Sequence, residues 1–147
     1  MVMDKQFGVA VKALILNKDE FLILKRSSDE EIAPEGWDIP GGRIKHGENM
    51  YSALWREVNE ETGLDIDIIH PSNVWSNVDP KTHLVGITFF CKTNNQNVQL
   101  SNEHTKYVWA DSAKILKSNV PKWLKDEIKA VQKVLLNSEI EKISKGI

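Results

Sequence analysis

The sequence predicts an α/β chain of the α+β kind, one sheet with a helix on each face. Three observations predict it. Apolar, β-branched runs recur at 7–16, 21–26 and 84–92, which is strand composition. The stretch 49–62 reads as a helix that Gly63 is placed to stop. After Pro121, Leu124, Ile128, Val131 and Leu135 recur at i, i+4, i+7 and i+11, one face of a second helix. The 147 residues suit a single domain spanning 1–147.

The elements follow in order. Residues 7–16 and 21–26 flank the turn residues Asn17-Lys18-Asp19-Glu20 and pair as a hairpin. The polar segment 27–36, with Pro34 and Gly36, is a loop. Trp37-Asp38-Ile39-Pro40-Gly41-Gly42 is a short strand ending in a Gly-Gly turn. Past the helix, 64–69 alternates through Asp65 and Asp67 as a strand, and Asp79-Pro80-Lys81 turns the chain into the buried strand 84–92. Asn94–Asn97 is a turn, and 107–109 is a short strand. Asp111 caps a short helix over 112–117. Ser118 or Asn119 caps the last helix, with Pro121 in its first turn, where a missing N–H costs nothing.

Composition narrows the function. Nineteen Lys and Arg against 21 Asp and Glu leave a net charge of −2. That balance disfavours a protein that coats long nucleic acid, since such binding neutralises phosphates with a basic surface. A small nucleotide stays open. Cys91 is the sole cysteine, so no internal disulfide and no cysteine zinc site is expected; at the end of an apolar run it reads as a buried thiol. No run approaches the ~20 apolar residues that cross a bilayer. Met1–Lys5 carries no stretch of signal-peptide length. A cytoplasmic protein away from membranes is expected, with monomer and homodimer both open.

The helix over 49–62 carries the chemistry. At about 100° per residue, with Glu57 at zero, Glu61 falls near +40° and Glu60 near −60°. Tyr51, Leu54, Trp55 and Val58 share a neighbouring arc, read as the core face, so the acids flank the buried stripe. Three like charges within a turn repel. A hard divalent cation reverses that sign, because carboxylate oxygens are the ligands it prefers. Arg56, at i,i+4 to Glu60, is placed to hold a carboxylate in one orientation. Gly41-Gly42 lets the backbone approach a ligand closely. No Gly-Lys-Ser/Thr follows, so this is not a Walker A loop.

Residues 42–64 resemble the Nudix signature at every specified position: Gly, five residues, Glu, seven residues, Arg-Glu, an aliphatic, any residue, Glu-Glu, any residue, Gly, an aliphatic. Here these are Gly42, Glu48, Arg56, Glu57, Val58, Glu60, Glu61, Gly63 and Leu64. The chain is thereby identified as similar to small, MutT-like Nudix hydrolases. The resemblance implies the Nudix fold, a mixed β-sheet sandwiched between helices. It implies hydrolysis of a nucleoside diphosphate linked to another group, with Mg²⁺ or Mn²⁺ as cofactor. Carried onto this chain, the Gly42 carbonyl, Glu57, Glu60 and Glu61 are the implied metal ligands, and Arg56 and Glu48 orient them. The family often adds an acid from a loop outside the box, before a strand with an aromatic. Glu103, ahead of Tyr107-Val108-Trp109, has that place, as metal ligand or general base. Members differ over the base, so Glu57 and Glu103 both stand. His104 next to it is an alternative acceptor of the proton, though a loop histidine reads first as solvated.

Substrate selection is less legible. Trp37, Trp75, Trp109 and Trp123 each offer either a stacking surface or a core side chain. Trp37 and Trp75, flanked by loops, are the substrate-binding candidates, with Arg26 as a phosphate contact at the end of its strand. Nucleoside triphosphates, oxidised ones included, rank first as substrates. Pro80 resembles a feature of ADP-ribose pyrophosphatases, so ADP-ribose or nucleotide sugars rank second. A non-catalytic nucleotide sensor and an mRNA-decapping enzyme are the alternatives of other kinds. The complete carboxylate set disfavours the first, and the acidic balance disfavours the second.

Overall fold

The structure, a computed structural model, describes residues 5–29 and 36–146. Its elements are β1 (Gln6–Asn17), β2 (Glu20–Arg26), β3 (Trp37–Asp38), β4 (Gly41–Arg43), α1 (Met50–Thr62), β5 (Asp67–Val78), β6 (Thr82–Lys92), β7 (His104–Asp111), α2 (Ser112–Lys117) and α3 (Lys122–Lys145).

One seven-stranded mixed sheet organises them, β1 and β6 running parallel and the other pairs antiparallel. Alternation along β1 decides what lies on each face, because successive side chains of a strand point to opposite sides. Val11, Ala13 and Ile15 join Phe89, Cys91, Leu22 and Leu24 beneath Ala53, Leu54 and Val58 of α1. Leu14 and Phe90, with Phe21 and Ile23, pack against Ile115 of α2 and Leu124, Ile128 and Val131 of α3. The expected α/β/α sandwich is therefore present. Cys91 is buried, and burial pushes its thiol up to about 12, as expected of a structural cysteine.

The sheet is forked. The hairpin of β1 and β2 forms, but their register covers only Leu16 with Phe21 and Asn17 with Glu20. Beyond that β3 pairs with β2, and β4 pairs with β1. Residues 37–43 thus fill the opening between the two strands, and the site is built around that opening.

Several elements differ from the sequence reading. Leu64 and Ile66, expected in a strand over 64–69, are buried ahead of β5, which begins at Asp67 and runs on to Val78. Long-range pairing with β6, register Asp67–Lys92 to Val78–His83, overrides the weak local pattern of 70–78. β7 is likewise longer than 107–109, because it pairs along the whole of β2. Pro121 itself holds the N-cap position of α3, without a side-chain cap, in place of Ser118 or Asn119. The Ser118 hydroxyl donates instead to the Ile115 carbonyl and closes α2. Part of the expected 27–36 loop, residues 30–35, lies outside the described residues.

Candidate active site

α1 is defined at both ends by its own sequence. Asn49 accepts from the Tyr51 and Ser52 N–H groups at 2.9 and 3.4 Å. Gly63 ends the helix in the left-handed region at φ 71°, where a side chain would be strained. The buried stripe is Ala53, Leu54, Val58, Glu61 and Thr62. This corrects the expected core face: Tyr51 is 50% and Trp55 48% exposed, with the Tyr51 ring edge-on to Phe89. The helix is rotated so that an acid, Glu61, occupies the core side. Glu57 is half-buried and Glu60 is exposed.

Gly42 lies where the helix meets β4. A Cβ there would stand 2.7 Å from the Glu57 carboxyl carbon, so glycine alone lets that carboxylate rest on the backbone. Arg56 binds two acids at once. Its Nε and one terminal nitrogen donate to the two oxygens of Glu48 at 2.8 and 3.0 Å, and the other donates to Glu57 at 2.9 Å. A longer contact, 3.4 Å, reaches Glu60. The Arg56 hydrogen bonds, with one from the Lys45 N–H, bring Glu48 down to about 2. The Glu48 hydrogen bonds in turn push Arg56 above its usual range.

Glu61 is in the opposite situation. Burial pushes its carboxyl up to about 9; Lys12 opposes this, and the nearby carboxylates of Asp38 and Glu103 add to it. Among the described residues its one hydrogen bond is a long one, 3.4 Å from the Gly41 N–H. One oxygen of Glu61, one of Glu103 and a ring nitrogen of His104 lie within 4.8 Å of one another.

Asp38, in the fork, ties this cluster to three strands. Its Oδ1 accepts from Lys12 at 3.0 Å and from the Ile39 N–H at 2.9 Å. Its Oδ2 accepts from Arg26 at 3.0 Å and faces His104 Nε2 at 2.8 Å. Burial by itself raises an acid, but Lys12 and His104 outweigh it and hold Asp38 well below the usual carboxylate range.

The structure thus brings Gly42, Glu48, Arg56, Glu57, Glu60, Glu61 and Glu103 together along α1. His104 corrects the reading as a solvated residue: it is 4% exposed, because β7 starts at this residue and turns the ring inward. Arg26, expected to be available to a phosphate, is engaged with Asp38. Trp75 is not loop-flanked. It stands in β5, with its indole over Gly86 and its Nε1 donating to Thr88 at 3.1 Å, on the α3 face of the sheet. Trp37 is half-buried under Lys25, whose ammonium lies 5.1 Å from the ring. It walls an apolar cleft of about 340 Å³ with Ile23, Val108, Ala110 and Ile115. Lys12 and Asp38 were missed. The only local hint was a charged residue inside each of two apolar strands.

A mixed sheet between helix layers, with an acid-bearing helix set on a glycine bend, places the chain among Nudix-fold proteins. The family model for the NUDIX domain matches residues 6–132. Nucleoside triphosphatase NudI of Escherichia coli strain K12 is 31% identical over 107 residues, 65% of this chain and 76% of that protein. The crystal structure of the MutT protein from Methanosarcina mazei Go1 matches with a TM-score of 0.80 at 29% identity, covering 90% of this chain and 97% of that one. A Caenorhabditis elegans Ap4A hydrolase shares the fold at a TM-score of 0.73 and 22% identity, over 88% of this chain and 98% of its own. The chain belongs to the Nudix family. It is a MutT-like Nudix hydrolase, acting on pyrophosphate bonds. Among the described residues, no helix is long and apolar enough to cross a membrane.

Proposed function

We propose that this chain, as one domain, hydrolyses nucleoside triphosphates, oxidised ones included, to a mononucleotide and pyrophosphate. Similarity to the nucleoside triphosphatase and to the MutT protein supports the substrate class. The observation that carries the reading is the carboxylate set of α1, closed against Gly42 and short of positive charge around Glu61.

That donor set fits a divalent cation, Mg²⁺ or Mn²⁺. Its ligands would be hard oxygens, and Glu61 is a buried acid whose charge Lys12 alone does not balance. Glu57, Glu60, Glu61 and the Gly42 carbonyl are the residues that would hold it. Bound there, it would neutralise phosphate oxygens and lower the pKa of a water. The remaining roles belong to the chain's own groups. Arg56 and Glu48 fix the Glu57 carboxylate in place by the short bonds described above. Because Glu57 already accepts from Arg56, Glu103 is the better-placed general base. Lys12 and Arg26 line the fork with positive charge, and Trp37 offers its cleft to the base.

A panel of nucleotides with Mg²⁺, scored for mononucleotide, phosphate and pyrophosphate release, tests this. Triphosphates are expected to give mononucleotide and pyrophosphate. Turnover confined to ADP-ribose or nucleotide sugars would overturn the substrate assignment.

A further inference from the structure

His104 opens β7 beside the fork. Its side chain is 1% exposed, and its Nδ1 is buried without a hydrogen-bond partner among the described residues. The other nitrogen, Nε2, is spent on Asp38 Oδ2 at 2.8 Å. Asp38 is ringed by donors: Lys12 and the Ile39 N–H on one oxygen, Arg26 on the other. Such a carboxylate accepts and does not donate. The proton of a neutral imidazole therefore sits on Nε2, and the lone pair on Nδ1. Buried acceptors are normally satisfied, and this one has no partner among the described residues. One oxygen each of Glu61 and Glu103 lies within 4.8 Å of a ring nitrogen of His104. A carboxylate that orients an imidazole by taking one N–H, leaving the other nitrogen for a metal, is the usual support of a metal-bound histidine.

We propose that His104 Nδ1 is a nitrogen ligand to the cation of the glutamate site, oriented by Asp38, and that the site therefore holds a first-row transition-metal ion such as Mn²⁺ more tightly than Mg²⁺. Imidazole binds such ions in preference to Mg²⁺, whereas an all-oxygen site discriminates far less. Asp38 acts as a positioning residue. Lys12 and Arg26 keep its charge in place so that Oδ2 remains available to the ring. The inference rests on the reading of the α1 glutamates as metal ligands.

The test is electron spin-echo spectroscopy of the full chain loaded with Mn²⁺, at one equivalent and at saturation. A ¹⁴N modulation is expected, and it should be replaced by a ¹⁵N one when the protein is grown with ¹⁵N-histidine. His104→Gln can still donate to Asp38 and should lose the signal. The same variant should lower the ratio of Mn²⁺ to Mg²⁺ affinity about tenfold or more, measured by calorimetry. Asp38→Asn should weaken both. If His104→Gln does not fold, the isotope exchange in the parent decides alone. Mn²⁺ bound in a Glu60-dependent manner, with no histidine nitrogen signal at either loading, would overturn the inference and leave the glutamate site standing. Failure of Mn²⁺ to bind at all would overturn both.

Discussion

Glu61→Gln removes the buried acid's charge while keeping its shape. Glu61 is 3% exposed, and burial, opposed by Lys12 and reinforced by Asp38 and Glu103, moves its carboxyl from 4.5 to about 9. In the metal-free fold it therefore keeps its proton at neutral pH, while the unfolded chain releases it. A group whose folded value is raised contributes its full stability below the unfolded value and loses it as pH rises through the folded one. Between pH 4.5 and 9 this residue should cost the metal-free protein about 1.4 kcal/mol per pH unit, hence about 3 kcal/mol by pH 7. Gln is neutral in both states and can still accept the Gly41 N–H.

The chelator-treated variant is thus expected to be more stable than the parent by about 2–3 kcal/mol at pH 7, and by less than about 1 kcal/mol at pH 5. Urea unfolding at pH 5, 6, 7 and 8 measures it. Adding Mg²⁺ or Mn²⁺ should reverse the order. An ion at a hundred times its dissociation constant stabilises the parent by about 2.7 kcal/mol and the variant by less. Turnover of the variant should fall by orders of magnitude. Metal-free stability curves against pH that coincide for the two proteins would refute the reasoning, because they would mean that Glu61 is not held neutral by its surroundings.

Three further outcomes follow from the geometry. Gly42→Ala puts a Cβ 2.7–2.9 Å from the Glu57 carboxyl atoms and should push that carboxylate aside; turnover should drop roughly 10–100-fold while urea midpoints barely move, since the displaced atoms end a flexible side chain. Arg56→Lys loses the two-point grip on Glu48 together with the bond to Glu57. A fall of about tenfold or more in kcat is expected, against about 1 kcal/mol or less of stability, because a point charge cannot reproduce the fork. Glu127, buried on α3, accepts from Asn73 and Thr88 at 3.1 Å on one oxygen, while the other has no partner among the described residues; burial pushes its carboxyl up. Glu127→Gln should therefore gain on the parent in urea midpoint as pH rises above the ordinary carboxyl range, and equal midpoints at pH 5 and pH 8 would count against it.

What the sequence shows of this protein is what neighbours along the chain decide. The Gly63 stop and the Asp111 cap are contacts between residues three to four apart, and both are visible as spacing. The glutamate array of α1 is local for the same reason. The face of α1 that turns inward is not local. It depends on which side chains β1 and β6 present, and they take Ala53 and Glu61 in preference to Tyr51 and Trp55. Asp38 and His104 are further from view. They stand 66 residues apart, and they meet only because β3 and β7 pair with opposite edges of β2.

That meeting explains why the sheet is forked. A continuous ladder between β1 and β2 would place paired backbone where the site needs carboxylates. Opening the ladder exposes backbone groups that must be satisfied. Residues 36–44 satisfy them: the Arg26 N–H donates to the Gly36 carbonyl, the Ala13 N–H to Pro40, and the Ile44 N–H to Val9, at 2.8–2.9 Å. The inserted segment then brings in Asp38 from one end and Gly41-Gly42 from the other. Lys12, on the strand face opposite Val11 and Ala13, reaches Asp38 and the Ile39 carbonyl through the opening. One cation thereby offsets two acids of contrary behaviour. It helps hold Asp38 ionised, and it only partly relieves Glu61. On the proposed reading, that shortfall of positive charge at Glu61 is what a cation from outside the chain would make good.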